Sequence, residues 1–330
     1  MPASNTVNLE FCAISTGRSG VPLRDVFREY WPAYQRWMRR ARLRDADACV
    51  QQFRDHLPEL APIFDRLLAD FSGGQEVARF LTLYNPPRVV RACSQLVLDA
   101  DKGPVLLRSY DHHPKLFDGI ILDSRWGQTK TLAVTDCIWG ALDGINEHGC
   151  AVALAFGGRN VSGPGFSAPL IVRYILETCQ TVCDARVALA RLPVYMPYTF
   201  VVADPSGDFV TAFLGPDRPA TFVARRSSAN HQNTDEWPAY CRQVRSFERL
   251  ERLESLFKNP PSVSAARDAF LEEPLWRREY ARSAGTLYVA EYLTTERTLT
   301  LRWPGHTEHF KIGDRLDRTF TIDLQSDSGC

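Results

Sequence analysis

Cys93 stands in the run Arg91-Ala92-Cys93-Ser94-Gln95, where helix-patterned sequence gives way to strand-patterned sequence. A cysteine becomes a nucleophile only as its thiolate, so the question is what could stabilise that anion. The segments SQLVLDA and PVLLRSYD flank the turn Asp99-Ala100-Asp101-Lys102-Gly103 and read as a β-hairpin, which lays Leu107-Arg108-Ser109-Tyr110-Asp111 beside Cys93. Arg108 near the thiol favours the thiolate, and Asp111 could orient an ammonium or an arginine. In a regular strand these two residues, three apart, face opposite sides, so both serve one site only if the strand bends or ends between them. Taken alone, Cys93 is equally a small residue opening a strand.

Other chemically capable residues have plainer readings. Cys179 and Cys183 have the i, i+4 spacing of helical metal ligands, but no second pair matches them, and a helix face packed on a sheet accounts for both. His112 and His113 follow Asp111 as exposed loop residues or as the lining of a substrate mouth. Asn146 and Gly149, in Asp143-Gly144-Ile145-Asn146-Glu147-His148-Gly149, suit a turn between strands. Gly157-Gly158 and Gly163-Pro164-Gly165 lack the Lys-Ser/Thr of a phosphate loop and read as a flexible lid or linker. Arg282 precedes the strand-like GTLYVAEYL, where a late basic residue could reach a site. Cys330 ends a polar tail, SDSGC, expected to be disordered.

The elements that must position these residues change character near residue 92. From Leu23 to about Ala69, apolar residues recur with helical spacing: Val26, Tyr30 and Tyr34, then Phe53, Leu57, Leu60, Ile63, Leu67 and Leu68. After Asn85-Pro86-Pro87, short apolar runs alternate with turn clusters: KTLAVTD, CAVALAF, TFVVADP, DFVTAFLG, TFVARR, GTLYVAEYL and TLTLRW. One long amphipathic helix is expected over about Ala168 to Leu192 and another over about Glu236 to Phe257. Many antiparallel strands interrupted by long helices imply a layered α+β fold, because each sheet must cover its apolar face. The expected division is a helical segment, 1–92, and a catalytic domain, 93–330.

Composition narrows the function. The chain has 330 residues, enough for one large domain with an appendage or for two domains at about 100 to 200 residues each. With 39 basic against 39 acidic side chains, it lacks the basic footprint of a nucleic-acid binder or a polybasic membrane-surface protein. No apolar run reaches the roughly 18 residues of a membrane span, and MPASNTVNLEF lacks a secretory signature, so a cytoplasmic location is expected. Nine cysteines, an odd number without metal-type spacing, suit a reducing compartment in which most are small buried hydrophobes. Small molecules are the expected partners, with no nucleic acid, membrane or metal; a homo-oligomer is compatible with the sequence.

The order Ala92-Cys93-Ser94, then Arg108-x-x-Asp111 ending 18 positions after the cysteine, then the Asp143–Gly149 motif, resembles the acyl-CoA:6-aminopenicillanic acid acyltransferase family. This is a group of N-terminal nucleophile hydrolases related to the choloylglycine hydrolases. The likeness continues through Tyr198-Thr199-Phe200-Val201-Val202-Ala203-Asp204-Pro205-Ser206-Gly207 and through Ser228-Ala229-Asn230-His231, which is similar to the family's T-N-H segment, and spans roughly Pro58 to Pro304. It implies a four-layer αββα sandwich preceded by a helical pro-segment. It also implies that Cys93 cuts the Ala92–Cys93 bond through a thioester, leaving the pro-segment bound and a new α-amine as base. The catalytic residues so implied are Cys93, Asp111, holding the ammonium or substrate, and Asn230, donating to the oxyanion. Arg108, Tyr110, His112 and Arg282 would bind substrate. The implied activity is acyl transfer from an amide or thioester to an amine or water, with no cofactor and with acyl-CoA available as a donor. A strict amidohydrolase of small N-acyl amines and a catalytically silent ligand-binding relative are the alternatives.

Overall fold

A computed structural model describes residues 6–41, 45–257, 262–280 and 284–326. Its strands are β1 (Thr6–Gly17), β2 (Ala92–Ala100), β3 (Gly103–His112), β4 (Ile120–Ser124), β5 (Thr131–Asp136), β6 (Gly140–Asn146), β7 (Ala151–Phe156), β8 (Tyr198–Ala203), β9 (Phe209–Gly215), β10 (Arg218–Val223), β11 (Ser227–Ser228), β12 (Gly285–Leu293), β13 (Thr298–Trp303), β14 (His306–Lys311) and β15 (Asp317–Gln325). They form a nine-stranded sheet in the order β10-β9-β8-β7-β6-β5-β4-β1-β15 and a six-stranded sheet in the order β11-β2-β3-β12-β13-β14. The central strands β5 to β8 are buried along their whole length, which is why they read as nearly continuous apolar runs rather than as alternating ones.

Helices cover the outer faces. Helices α1 (Arg24–Met38), α2 (Ala46–His56), α3 (Ala61–Asp70) and α4 (Gln75–Leu81) come before β2. They and the single helical turn Pro58–Leu60 between α2 and α3 pack towards the nine-stranded sheet and its helix α5 (Ala168–Thr178): Tyr34 Oη donates to Asp118 Oδ1 at 2.5 Å and Tyr174 Oη to Glu59 Oε1 at 2.9 Å. Helix α5 lies close on β6, where a Cβ at Gly144 would fall 2.6 Å from Leu176 Cδ1. Helices α6 (Val182–Arg191), α7 (Pro238–Gln243), α8 (Ser246–Ser255) and α9 (Val263–Phe270) complete the α-helices among the described residues. Of these, α8 and α9 reach the outer face of the six-stranded sheet through Arg249 to Ser94 and Arg267 to Glu291. The result is the four-layer αββα arrangement.

Three expectations need correction. Residues 1–92 are not purely helical: β1 runs parallel to β4 and antiparallel to β15, so the segment supplies an inner strand of the nine-stranded sheet. The alternation Leu9, Phe11, Ala13 is the signature of that strand, each buried between exposed or half-buried neighbours. The long helix after β7 is two helices, because the Thr181 and Asp184 side chains form a capping box that starts α6 anew. The helix over 236–257 is likewise broken, at Arg245, whose φ of 52° is left-handed.

The glycine loop after β7 is packed rather than a free lid. Gly165 N donates to Asn85 Oδ1 at 2.8 Å and Gly163 N to Tyr195 O at 3.0 Å. Gly158 has φ +70°, and a Cβ there would fall 2.2 Å from the carbonyl oxygen of Asn230. Gly207 has φ +99° with nothing within 4 Å. Gly207→Ala therefore carries only the backbone cost, about 1–2 kcal/mol. Gly158→Ala should lower the melting temperature distinctly more, and equal shifts in the two variants would show that the loop yields without cost.

Candidate active site

Cys93 is the second residue of β2, which lies between β11 and β3. The β2–β3 register is unbroken, pairing Ala92 with Asp111, Cys93 with Tyr110 and Gln95 with Arg108. On the other side Ser228 pairs with Gln95, so two more residues bring Asn230 level with Cys93. Cys93, Arg108, Asp111 and Asn230 are all fully buried.

The anticipated conflict between Arg108 and Asp111 is resolved without a bend in this hairpin. Arg108 points between the two sheets: Nη2 lies 3.2 Å from Cys93 Sγ, Nε donates to Leu154 O of β7 at 3.1 Å, and Nη1 bonds Asp143 of β6 and Tyr288 Oη. Asp111 points to the opposite, helix-covered face, where Oδ1 accepts from Thr286 Oγ1 at 2.8 Å and Oδ2 lies 3.2 Å from Arg249 Nη2. The two residues address Cys93 differently: Arg108 meets its side chain, whereas Asp111 is placed opposite the residue on the other side of the Ala92–Cys93 peptide bond.

Asn230 contacts the nitrogen of that bond. Cys93 N donates to Asn230 Oδ1 at 2.9 Å, Arg249 Nη1 donates to the same oxygen at 3.1 Å, and Asn230 Nδ2 donates to Phe156 O at 3.1 Å. Two donors at one end and a carbonyl at the other set the orientation of the amide, and an NH₂ group still has a second hydrogen to give. The backbone is held as well, with Asn230 N donating to Ser246 Oγ at 2.8 Å.

Burial pushes the Cys93 thiol above its ordinary value, and Arg108 is the strongest opposing influence. Arginine next to the thiol therefore offsets the desolvation in the continuous chain without overcoming it. Burial also opposes the charge on Arg108, but Cys93, Tyr288 and Asp143 outweigh it. Asp143 accepts from Arg108, Tyr288 and Tyr292, so the guanidinium has a buried counter-ion.

Four of these residues carry roles that the sequence reading did not assign. Asp143 was visible inside a motif without a function. Tyr288 and Tyr292 looked like ordinary strand aromatics. Arg249 did leave a signal: it falls on the stripe Ser246, Arg249, Leu253 that α8 buries, where an arginine has no place unless it is paired. It bridges Asp111, Asn230 and Ser94 Oγ, the last at 2.9 Å.

The remaining expected positions are mixed. The Tyr110 ring lies beneath Arg108, with the guanidinium carbon 4.7 Å from the ring centre. His112 is the buried last residue of β3 rather than part of an exposed loop, and half-buried His113 caps the following turn by accepting from Lys115 N. Asn146 shapes its turn, bonding Leu176 O, Cys179 O, His148 N and Cys150 N. Cys179 is buried at the end of α5, whereas Cys183 is exposed in α6, so they share no helix face. Arg282 and Cys330 lie outside the described residues. Among those described, no group of three or more His, Cys, Asp or Glu could hold a metal ion, and no helix is long and apolar enough to cross a membrane.

Burial, reinforced by Arg91, holds the His112 pKa well below its ordinary value. The imidazole is then neutral in the folded state at a pH where the unfolded chain binds a proton. Its contribution to stability is intact above about pH 6.5 and is lost as pH falls below that value. His112→Gln should flatten the decline in melting temperature between pH 7.5 and pH 5.5, and an unchanged slope would show that other groups dominate this limb.

In solved structures the chain is similar to a mutant conjugated bile acid hydrolase from Clostridium perfringens (9% identity, 71% of this chain and 97% of that one, TM-score 0.48). It is also similar to penicillin V acylase from Agrobacterium tumefaciens (14% identity, 66% and 84%, TM-score 0.46). A third is the Caenorhabditis elegans ortholog of N-acylethanolamine-hydrolyzing acid amidase (16% identity, 62% and 93%, TM-score 0.46). No curated relative matches the sequence. The model of one family matches residues 98–308, a span that begins just beyond Cys93 and includes Arg108, Asp111, Asn230 and Arg249. The chain belongs to the acyl-coenzyme A:6-aminopenicillanic acid acyl-transferase family and is an enzyme acting on amide-type acyl groups.

Proposed function

We propose that this chain is a self-processing cysteine enzyme that cuts its own Ala92–Cys93 bond and then transfers acyl groups from an amide or thioester to an amine or water. The observation that carries the reading is the double hold on one residue. Cys93 has its thiol 3.2 Å from the Arg108 guanidinium and its peptide nitrogen 2.9 Å from Asn230 Oδ1.

In the first step Sγ attacks the carbonyl carbon of Ala92. The S–C bond forms, the C–N bond breaks, and the thiol proton ends on the Cys93 nitrogen, which Asn230 Oδ1 already faces as an acceptor. Water then hydrolyses the thioester, leaving a carboxylate on Ala92 and regenerating the Cys93 thiol. The freed α-amine, with an ordinary pKa of about 7.7–8.0, is a general base attached to its own nucleophile, and no histidine is required. With Ala92 gone, Asp111 loses its strand partner and faces the new ammonium. The N-terminal piece stays attached, because β1 remains hydrogen-bonded to both β4 and β15.

Turnover repeats this chemistry on an external carbonyl. Cys93 forms the acyl-enzyme, the amine relays the proton to the leaving group, and an amine or water resolves the thioester. The second hydrogen of Asn230 Nδ2 is available to the oxyanion, while Phe156 O keeps the amide in place.

Two outcomes test this. Intact-mass measurement of the purified protein should show two fragments, residues 1–92 and 93–330, and Cys93→Ala should remain a single inactive chain; an active protein with an unbroken chain would overturn the mechanism. Asn230→Ala should lower turnover on the order of 10²-fold or more with nearly unchanged substrate binding, because the interaction strengthens in the transition state. Equal losses in both would remove Asn230 from the oxyanion role.

A further inference from the structure

The residue two positions before the nucleophile is buried in a way that the cleavage chemistry does not require. Arg91 is the last residue of an irregular stretch leading into β2, and its side chain is only 12% exposed. Its Nη2 lies 2.5 Å from Oδ2 of Asp136, whose side chain is 3% exposed, and its guanidinium carbon lies 5.8 Å from the centre of the Tyr110 ring. Both members of the pair line a narrow cleft of about 40 Å³ whose other walls are largely apolar and include Leu154, Phe156, Met196 and Tyr198. Leu154 and Phe156 are the residues whose carbonyls hold Arg108 and Asn230, so the cleft adjoins the Cys93 site.

The acidic end of this cleft is built with care. Asp136 ends β5, and the turn to β6 places Cys137 at φ 55° and Ile138 at φ 69°, a conformation that L-residues, above all a β-branched one, adopt at a cost. Other parts of the chain clamp the turn: Asp118 Oδ2 accepts from Ile138 N at 2.9 Å and Tyr34 Oη accepts from Cys137 N at 3.0 Å. Burial and the neighbouring Asp136 both raise the pKa of Asp118. Among the ion pairs of the described residues, Arg91 is the cation that meets Asp136.

In the self-cleavage proposed above, on which this inference rests, Arg91-Ala92 is the acyl part and Cys93 the leaving amine. The Arg91 side chain therefore occupies the place that the acyl substituent of an external substrate would take. After the cut, residues 86–92 would become a chain end still held through Arg91 to Asp136, Tyr240 Oη to Arg91 O and Arg88 to Asn160, and its withdrawal would leave Asp136 buried without its cation. A buried carboxylate in that state is costly, and a ligand cation relieves it.

We propose that Asp136 is the anionic end of the acyl pocket, that Arg91 fills it in the continuous chain, and that the substrate is an amide or thioester whose acyl group has an apolar body ending in an amine or guanidine. Asp136 thus sets specificity for the acyl group, and the segment before the cut acts as an internal substitute for substrate.

Two measurements decide the matter. In the full-length Arg91→Ala chain, butylguanidinium should raise the melting temperature where neutral butylurea does not, and adding Asp136→Asn should abolish the difference. Equal shifts from the two compounds, or a shift that survives Asp136→Asn, would overturn the subsite whether or not the chain cuts itself. With the cleaved wild-type enzyme, 6-aminohexanoyl anilide should exceed hexanoyl anilide in kcat/KM by about tenfold or more, and adipoyl anilide should be poorest, as expected for a buried charged partner. Equal rates on all three would overturn this inference while leaving the acyl-transfer reading intact. A chain that neither cuts itself nor hydrolyses any anilide would instead overturn that reading.

Discussion

Two guanidiniums buried on opposite faces of one hairpin govern the architecture around Cys93. Arg108 lies between the sheets and Arg249 beneath the helices, each with no exposure to solvent. An isolated buried charge costs several kcal/mol, so each must have a counter-ion. Asp143 with its two tyrosines meets the first demand, and Asp111 with Ser94 and Asn230 meets the second. Because those partners come from β2, β3, β6, β12 and the segment after β11, and Arg249 itself from α8, the two ion pairs tie together most of the elements that meet at the cysteine.

The same pairing places an arginine, rather than a histidine, within hydrogen-bonding distance of the Cys93 thiol. Burial raises the thiol pKa and Arg108 lowers it, so the group is held protonated in the continuous chain but beside a fixed positive charge. Any change that admits solvent weakens the first effect more than the second, since the arginine is anchored by Leu154 O and Asp143 rather than by the thiol. The cut proposed at Ala92 would be such a change.

The position of the N-terminal segment is as consequential as its helices. As an inner strand, β1 is flanked on both sides, and Phe11 on it is fully buried, stacked on Phe320 of β15 with ring centres 5.3 Å apart. Burial of one such ring contributes roughly 1.5–3 kcal/mol. Residues 1–92 are therefore structural to the sheet and also supply Arg91 and several walls of the cleft beside Cys93.

What the sequence determined by itself was local. The hairpin spacing laid the strand carrying Arg108 and Asp111 beside Cys93, the change from helical to alternating periodicity marked the start of β2 near Ala92, and the turn chemistry of Asn146 was legible, since all of these depend on residues close in the chain. The order of motifs also identified the family. Tertiary structure decided the rest. It turned Arg108 and Asp111 to opposite faces, put β1 between β4 and β15, divided both long helices, and recruited Asp143 and Arg249 as counter-ions across 35 and 138 positions of chain. The reason is that a counter-ion is selected by proximity in space and by the cost of leaving a buried charge unpaired, and neither is written in the spacing of residues along the chain.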